Sequence, residues 1–407
     1  VSDIVADPVD APDSAPATSI LSATSRPIIE ATLPVVGEHL GEISRIFYRH
    51  LFDNLPSLES DLFNRTNQAN GEQQKALAGA VAAFATLLVT EEAPPVDEVM
   101  SRIAAKHASL GIVQVHYDLV HTALFTAIVD VLGDAVTPEV AGAWDEVYWL
   151  MANSLMAQEA ALYEAAGVAA GHVWQPMTVL DKREVAPGAW TFVFGDENPD
   201  VMRNCVPGQY VSVSVLFPDE TRQIRQYTVV WGERPDTWEI TVEAVRGGMV
   251  STKLIDDVGV GDPLVVSMPV GDPYPIREDS PVVLASSGIG SAVSVGLLQR
   301  LVADADIRPL RVVHVDRRPE RFAHRDKIAD LLSVYRGPSS LHTEYADDIE
   351  HAISRLRDGK WDGAADVYLC GSPLFMRKMR RVAVREGVSP VNIHYEVFAP
   401  DSWLGFD

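Results

Sequence analysis

Arg225-Gln226-Tyr227-Thr228 decides how this chain is read, because two further strings flank it at short range. Val206-Pro207-Gly208-Gln209-Tyr210 precedes it, and Gly247-Gly248-Met249-Val250-Ser251 follows. The guanidinium fork of Arg225 suits phosphate oxygens, which it can grip with parallel N–H bonds. Tyr210 and Tyr227 offer flat faces for a ring, with hydroxyls left for polar contacts. Gly247-Gly248 lets backbone N–H groups approach an anion closely. Any one of these strings alone reads as well as an ordinary strand or turn. All of them in this order, beside the alternation Tyr210-Val211-Ser212-Val213-Ser214-Val215, point to one binding site on a small antiparallel barrel.

Together the strings resemble the FAD cradle of the ferredoxin-reductase family. The resemblance implies FAD, held by Tyr210, Arg225, Gln226, Tyr227 and Thr228 and by Gly247, Gly248, Met249, Val250 and Ser251. A flavin moves electrons for something else, so a donor site and an acceptor are expected elsewhere in the chain.

At 407 residues the chain exceeds one usual core, and two or three domains are expected. A net charge of −24 would repel a phosphate backbone, which argues against a general nucleic-acid binder. Cys205 and Cys370 stand far apart and in no metal-like spacing, so no disulfide framework is expected and a reducing cytoplasm fits. The most apolar long segment, residues 123–133, is interrupted by Asp130 and reads as too short to span a bilayer. Residues 1–18 are rich in Ala, Pro, Asp and Ser and lack the basic start and apolar run of a signal peptide. They read as a disordered acidic tail. The oligomeric state is not fixed by the sequence, with a monomer favoured.

Three patterns follow one another along the chain. Residues 19–168 read as helices, with apolar residues three and four apart and breaks at Pro34, Pro56, Pro94-Pro95 and Pro138. A short Gly/Ala hinge leads into residues 169–278, where alternation and turn pairs predict the antiparallel β-barrel. Across residues 279–407 strands alternate with helices, which predicts an α/β doubly wound parallel sheet. The fold class is thus multidomain: all-α, antiparallel β-barrel, then α/β.

Gly288-Ile289-Gly290 follows the first strand of the last region and opens a helical run, the place where a pyrophosphate sits. Alone, the pair is as readily a plain strand-to-helix turn. Val367-Tyr368-Leu369-Cys370-Gly371-Ser372-Pro373 resembles the same family's second nicotinamide-side loop, which implies that Gly288, Gly290, Cys370 and Gly371 bind NAD(P)H. Ile393-His394-Tyr395-Glu396-Val397-Phe398-Ala399-Pro400 resembles its terminal strand, whose aromatic, here Phe398, lies near the flavin. The chain departs from the pattern at Ser291-Ala292-Val293, where Thr-Pro is usual after GxG, and at Val397 and Ala399, where Cys and Gly are usual. Those departures leave open a donor other than a nicotinamide, such as a small hydroxy acid. Arg317 and Arg318 read more simply as a solvated loop than as a grip on a 2′-phosphate.

The acceptor is sought in the helical region. His107 lies on a predicted helix, where a histidine is more often a surface or core residue than an iron ligand. Gln73 and Leu77 lie upstream of it, one helical turn apart and so on one face. Tyr48 and Phe63 stand in apolar surroundings.

Phe47-Tyr48, Leu62-Phe63-Asn64 with Asn67-Gln68, Asn70-Gly71-Glu72-Gln73 with Ala76-Leu77, and Lys106-His107 resemble the globin part of the bacterial flavohaemoglobins. The reductase strings match the same family, so the resemblance covers nearly the whole chain beyond the tail. It implies a globin over residues 19–168, an FAD-binding barrel over 169–278 and an NAD-binding domain over 279–407. It implies haem b with His107 as the iron ligand, Tyr48 and Gln73 as distal donors, Leu77 as the apolar lid and Phe63 packed on the porphyrin. Tyr117 and Glu159 match the pair that hydrogen-bonds the proximal imidazole; without the match they read as a helix–helix hydrogen bond in a core. Lys106 and Glu396 match positions between haem and flavin.

The implied activity is nitric oxide dioxygenation: nitric oxide and dioxygen to nitrate, with electrons passed from NAD(P)H through FAD to haem. A haem oxygen sensor or carrier kept reduced by its flavin is the alternative of a different class. A carboxylate behind the imidazole makes it a stronger electron donor, which favours catalysis over reversible storage.

Overall fold

The structure of the protein, a computed structural model, describes residues 21–54, 72–90, 96–271, 280–355 and 361–396, without the side chains of 72–78, 96–99 and 354–355. Phe63, Phe398, Pro56, Pro94-Pro95 and the tail at 1–18 therefore lie outside the described residues, as do the side chains of Gln73 and Leu77.

The helical part comprises α1 (Ser25–Asn54), α2 (Glu72–Val89), α3 (Val96–Leu110), α4 (Gln114–Leu132) and α5 (Pro138–Ala166). Ile29, Val36, Ile43, Phe47 and Leu51 recur along one face of α1 and enter a single core with Leu124, Val147, Tyr148 and Leu155. Pro34 does not break the chain as expected; α1 runs through it. Pro34 and Glu30, whose carbonyl loses its partner there, are both exposed, so water can satisfy that oxygen while the opposite face stays packed. Pro138 does start a helix, at the first position of α5 behind the Thr137 cap. The apolar segment read as a short interrupted run is part of the longer α4. Residues Gln114–Ala135 are long and apolar enough to cross a membrane by length and composition. Here Tyr117, Ala123, Leu124, Ala127 and Ile128 of that helix are buried in the helical core.

The middle part closes as a six-stranded antiparallel barrel in the order β1-β2-β5-β4-β3-β6. Its strands are β1 (Trp174–Ala186), β2 (Ala189–Gly195), β3 (Tyr210–Leu216), β4 (Arg222–Trp231), β5 (Thr237–Glu243) and β6 (Pro263–Ser267). A short helix, α6 (Met249–Asp257), follows β5. In β3 every residue from Tyr210 to Val215 is buried, so the serine side of its alternation does not face water.

The last part is a parallel five-stranded sheet in the order β11-β10-β7-β8-β9. It is built from β7 (Val282–Ser287), β8 (Leu310–Asp316), β9 (Ser339–Tyr345), β10 (Asp366–Cys370) and β11 (Ile393–Glu396). Central β7 is apolar on both faces, as a sheet covered on both sides requires. Val282 and Leu284 pack with α7 (Ser291–Ala303) and α8 (Arg325–Val334). Val283 and Ala285 pack on the other side with α9 (Ile349–Arg355) and α10 (Pro373–Arg385). The sheet domain meets the barrel at Gly296 of α7, where an added Cβ would come within 2.3 Å of the Gly208 nitrogen.

Candidate functional site

His107 occupies the last turn of α3. Its Nδ1 lies 3.0 Å from the hydroxyl of Tyr117 on α4 and 3.0 Å from Oε1 of Glu159 on α5. Tyr117 in turn donates to the same carboxylate oxygen. Glu159 is 2% exposed, and a carboxylate so placed needs donors on it. With the Tyr117 proton committed to Glu159, Nδ1 carries the imidazole's proton and donates it to that oxygen. Burial, then the Glu159 charge and hydrogen bond, push the Tyr117 phenol far above its ordinary pKa and keep it a donor. Tyr148 donates to the Tyr117 carbonyl at 2.7 Å and Tyr163 to the Ile112 carbonyl at 2.7 Å, which pins the start of α4. The lone pair is thereby left on Nε2, which no described residue bonds. An imidazole anchored at Nδ1 by a carboxylate, with Nε2 left open, fits a metal ligand.

Tyr48 sits on α1, buried, edge-on to Phe47 with centroids 4.7 Å apart and tilted against Phe52 at 5.5 Å. Burial raises its phenol pKa well above the ordinary value.

Residues from several of the reductase strings, scattered in sequence, line one cavity of about 1030 Å³ between barrel and sheet domain. Arg225, Gln226, Tyr227 and Thr228 of β4 form part of its wall, and the run from Gly247 to Ser251 another. From the sheet domain come Gly288, Ile289, Gly290, Cys370, Gly371 and Ser372. Gly247 has φ +75, and a Cβ on Gly248 would lie 2.8 Å from Ser251 Oγ, so both glycines are required for this turn. Gly248 caps α6 without a side-chain hydrogen bond, which leaves that helix's opening N–H groups at the cavity for an anion. Arg225 Nη1 donates to the Ile224 carbonyl at 2.7 Å, which fixes the guanidinium against the strand. These residues fit a dinucleotide: a cation and a helix N-terminus for the pyrophosphate, and the Tyr227 ring for a flat heterocycle.

The string at 206–210 is not among the residues lining that cavity; Tyr210 begins β3. It is buried in the barrel core under the turn at Gly271, where an added Cβ would touch its ring at 3.2 Å.

At the nucleotide end the glycines have steric causes. Gly288 has φ +53, and a Cβ on Gly290 would lie 2.6 Å from the Cys370 carbonyl oxygen. Gly371, at φ +154, would bring one 2.2 Å from Ser287 Oγ. Ser291, where the sequence departs from the expected Thr-Pro pattern, donates to the Gly288 carbonyl at 3.0 Å and lies 2.7 Å from Nδ1 of His324. His324 Nε2 is 2.9 Å from Thr241 Oγ1 of the barrel, so this buried histidine bridges the glycine loop and β5. The sequence gives no sign of it, since a single histidine outside any motif carries no pattern. Asp316, at the end of β8, also lines the cavity and was missed in the sequence; an acid ending the second strand after a glycine loop was the available signal. Arg317 lines the cavity and is exposed, whereas Arg318 does not line it. Arg321 is held 2.6 Å from Glu243 and 3.9 Å from Asp316.

One helix touches all three units. Arg102 of α3 stacks over the Tyr395 ring of β11 at 4.0 Å. One turn on, Lys106 keeps open surface, while desolvation in its surroundings and then the Arg225 charge lower its ammonium pKa. The helix that carries His107 therefore abuts the flavin-type cradle and the terminal strand of the sheet domain.

The globin family model matches residues 45–155, and that of the oxidoreductase FAD-binding domain matches residues 176–274. The flavohemoprotein of Rhizobium meliloti is 32% identical over 404 residues, covering 94% of this chain and 99% of that protein. The flavohemoprotein of Bordetella pertussis is 34% identical over 401 residues, covering 93% of this chain and 98% of that protein. Among solved structures, the flavohemoglobin of Malassezia yamatoensis, determined with bound FAD and heme, superposes with a TM-score of 0.83 at 29% identity. It covers 93% of this chain and 100% of that one. With a globin, an FAD-binding barrel and a parallel-sheet domain in this order, and that likeness along almost its whole length, the chain belongs to the flavohemoprotein family.

Proposed function

We propose that the chain is a nitric oxide dioxygenase that converts nitric oxide and dioxygen to nitrate with electrons from NAD(P)H. When bound, FAD supplies hydride acceptance and single-electron release, and haem supplies the iron centre at which the two gases react. His107 Nε2 would hold the iron. Arg225 and the N-terminus of α6 would hold the FAD pyrophosphate, with Tyr227 beside the ring. Gly288–Gly290 and Cys370–Ser372 would admit the nicotinamide nucleotide.

The observation that carries this reading is the Glu159–Tyr117–His107 network. Glu159 fixes the imidazole's tautomer and plane and raises its basicity, which favours oxygen activation over reversible carriage. A protonated, buried Tyr48 supplies a hydrogen bond for negative charge developing on oxygen during the reaction. Gln73 and Leu77 would complete that side.

Asp316 favours NADH over NADPH. A carboxylate at the end of the second strand is the group that hydrogen-bonds a ribose 2′-hydroxyl and repels a 2′-phosphate. Of the two arginines beside it on the cavity wall, Arg321 is already paired with Glu243. The hydrogen bonds of Ser291 to Gly288 and His324 give the departure at residues 291–293 a local role in shaping the glycine loop, which supports a nicotinamide donor over a hydroxy acid.

Anaerobic mixing with NADH, NADPH and small hydroxy acids tests the reading. NADH should bleach the flavin and then reduce the haem, and added nitric oxide with air should yield nitrate. A flavin that stays oxidised with both nicotinamides, or turnover without nitrate, would overturn it.

A further inference from the structure

The face of α3 that bears Arg102 and Lys106 continues to Ser109. Ser109 is fully buried, and its hydroxyl donates to the Lys106 carbonyl at 2.7 Å. Ser212 of β3, equally buried, places its hydroxyl 2.9 Å from that of Ser109 across the boundary between globin and barrel. Gln226, paired opposite Ser212 in the β3–β4 ladder, donates its Nε2–H to Ser212 Oγ at 3.1 Å. A serine hydroxyl has one proton to give. The Ser109 proton is committed to Lys106, so Ser212 must donate to Ser109, and Gln226 must turn its NH₂ rather than its oxygen toward Ser212. The run therefore has one direction: Gln226 to Ser212 to Ser109 to the carbonyl beside His107. Ser212 is itself anchored, its N–H donating to Ser267 Oγ at 2.9 Å, and Ser267 to the Met268 carbonyl at 2.8 Å.

We propose that this run is a positioning relay that registers the haem-bearing turn of α3 against the flavin cradle. It rests on the reading above, in which His107 holds haem and Arg225–Thr228 holds FAD. Gln226 lines the flavin-type cavity, so fixing its Nε2 fixes which atoms of its amide the cavity meets. Ser109 ties down the helix turn that precedes Gly111, whose φ is +79 and whose added Cβ would meet the Gly171 carbonyl at 3.1 Å. The linker between globin and barrel bends through Gly167 and Gly171, both at positive φ, and packs against the end of α3 at Gly111. Buried hydroxyls that any slip would leave unsatisfied add a polar register to that packing. Ser109 and Ser212 touch neither proposed cofactor site and act only through Gln226 and α3.

The test uses the full chain with Ser109→Ala, Ser212→Ala and the double variant. Amides of residues 106–110 should exchange with deuterium about tenfold faster in each, the scale of one buried hydrogen bond lost. The flavin absorption band should shift in Ser109→Ala although that residue lies in the globin. Haem reduction after flavin bleaching should slow by one common factor in both single variants and the double, because links in series cannot be lost twice. Bleaching by NADH should keep its rate. If Ser212→Ala does not fold, Ser109→Cys, which keeps a weak donor of similar size, should give an intermediate loss. Unchanged exchange at 106–110 with an unaltered flavin-to-haem rate, or losses that add between the serines, would overturn the relay. If the chain loads no haem or flavin, the function reading fails, while the exchange result still decides the relay.

Discussion

Glu159 Oε1 lies 3.0 Å from Nδ1 of His107, and the two residues belong to helices α5 and α3, which pack directly against each other. Helix packing thus sets the electronic character of the imidazole. His107→Ala should abolish the Soret band while flavin absorbance remains. Glu159→Gln should keep the band and lower nitrate formation about 10- to 100-fold, the usual effect of losing a partner behind a metal ligand. A Soret band unchanged in His107→Ala would remove His107 as the ligand.

Tyr48 is buried on α1, and that burial raises its phenol pKa. Tyr48→Phe should accelerate oxygen dissociation about ten- to a hundredfold, the worth of one hydrogen bond to a charged partner. Flash photolysis or stopped-flow release measures it directly. Unaltered release would take Tyr48 out of the distal role.

Gly290 and the Cys370 carbonyl are too close for any side chain. Gly290→Ala should therefore displace the loop at 371–372, weaken nicotinamide binding and lower stability by roughly 1–3 kcal/mol, the scale of overpacking. A crystal structure with the Cys370 carbonyl unmoved and an unchanged Kd for NADH would contradict the steric account.

How much of this was legible in the sequence depended on whether the signal was local. The strings at 225–228, 247–251 and 288–290 carry their chemistry in consecutive residues, and all line one cavity. The alternation in β3 shows two faces of a strand but not what covers its serine face; α3 covers Ser212. The turn at Gly271 that packs on the Tyr210 ring was not legible for the same reason, since it lies far along the chain. Pro34 read as a helix break because its cost is local, whereas the packing of Ile29, Val36 and Ile43 that outweighs it is tertiary. His324 had no periodicity or motif to announce it.

Asp316 should set the donor preference. Its Oδ1 accepts the Arg317 N–H at 2.7 Å, which fixes the carboxylate at the end of β8 on the cavity wall. Asp316→Ser removes a like charge from the path of a 2′-phosphate, and the ratio of kcat/KM for NADH to NADPH should fall at least about tenfold. An unchanged ratio would move selectivity to another part of the cavity, with Arg317 the next residue to vary.

Stability should fall on mild acidification, with His324 as a main cause. Ser291 gives its proton to Gly288, so Nδ1 of His324 donates to Ser291, and in the neutral ring Nε2 accepts from Thr241. Burial, then the charges of Lys327 and His314, lower its pKa from 6.5 to about 3. Below pH 6.5 the unfolded chain takes up a proton that the folded chain refuses. The stability from neutral His324 is therefore intact above pH 6.5 and is lost progressively as the pH falls toward 3. At pH 5 the loss is about 2 kcal/mol. Burial lowers the pKa of His314 as well, so the two histidines act in the same direction. Denaturant unfolding at pH 7.5 and at pH 5 measures the drop, and His324→Gln should shrink it by about that amount. An identical drop in the variant would mean that His324 already titrates normally in the folded chain, and that the bridge from Thr241 to Ser291 does not depend on a neutral ring.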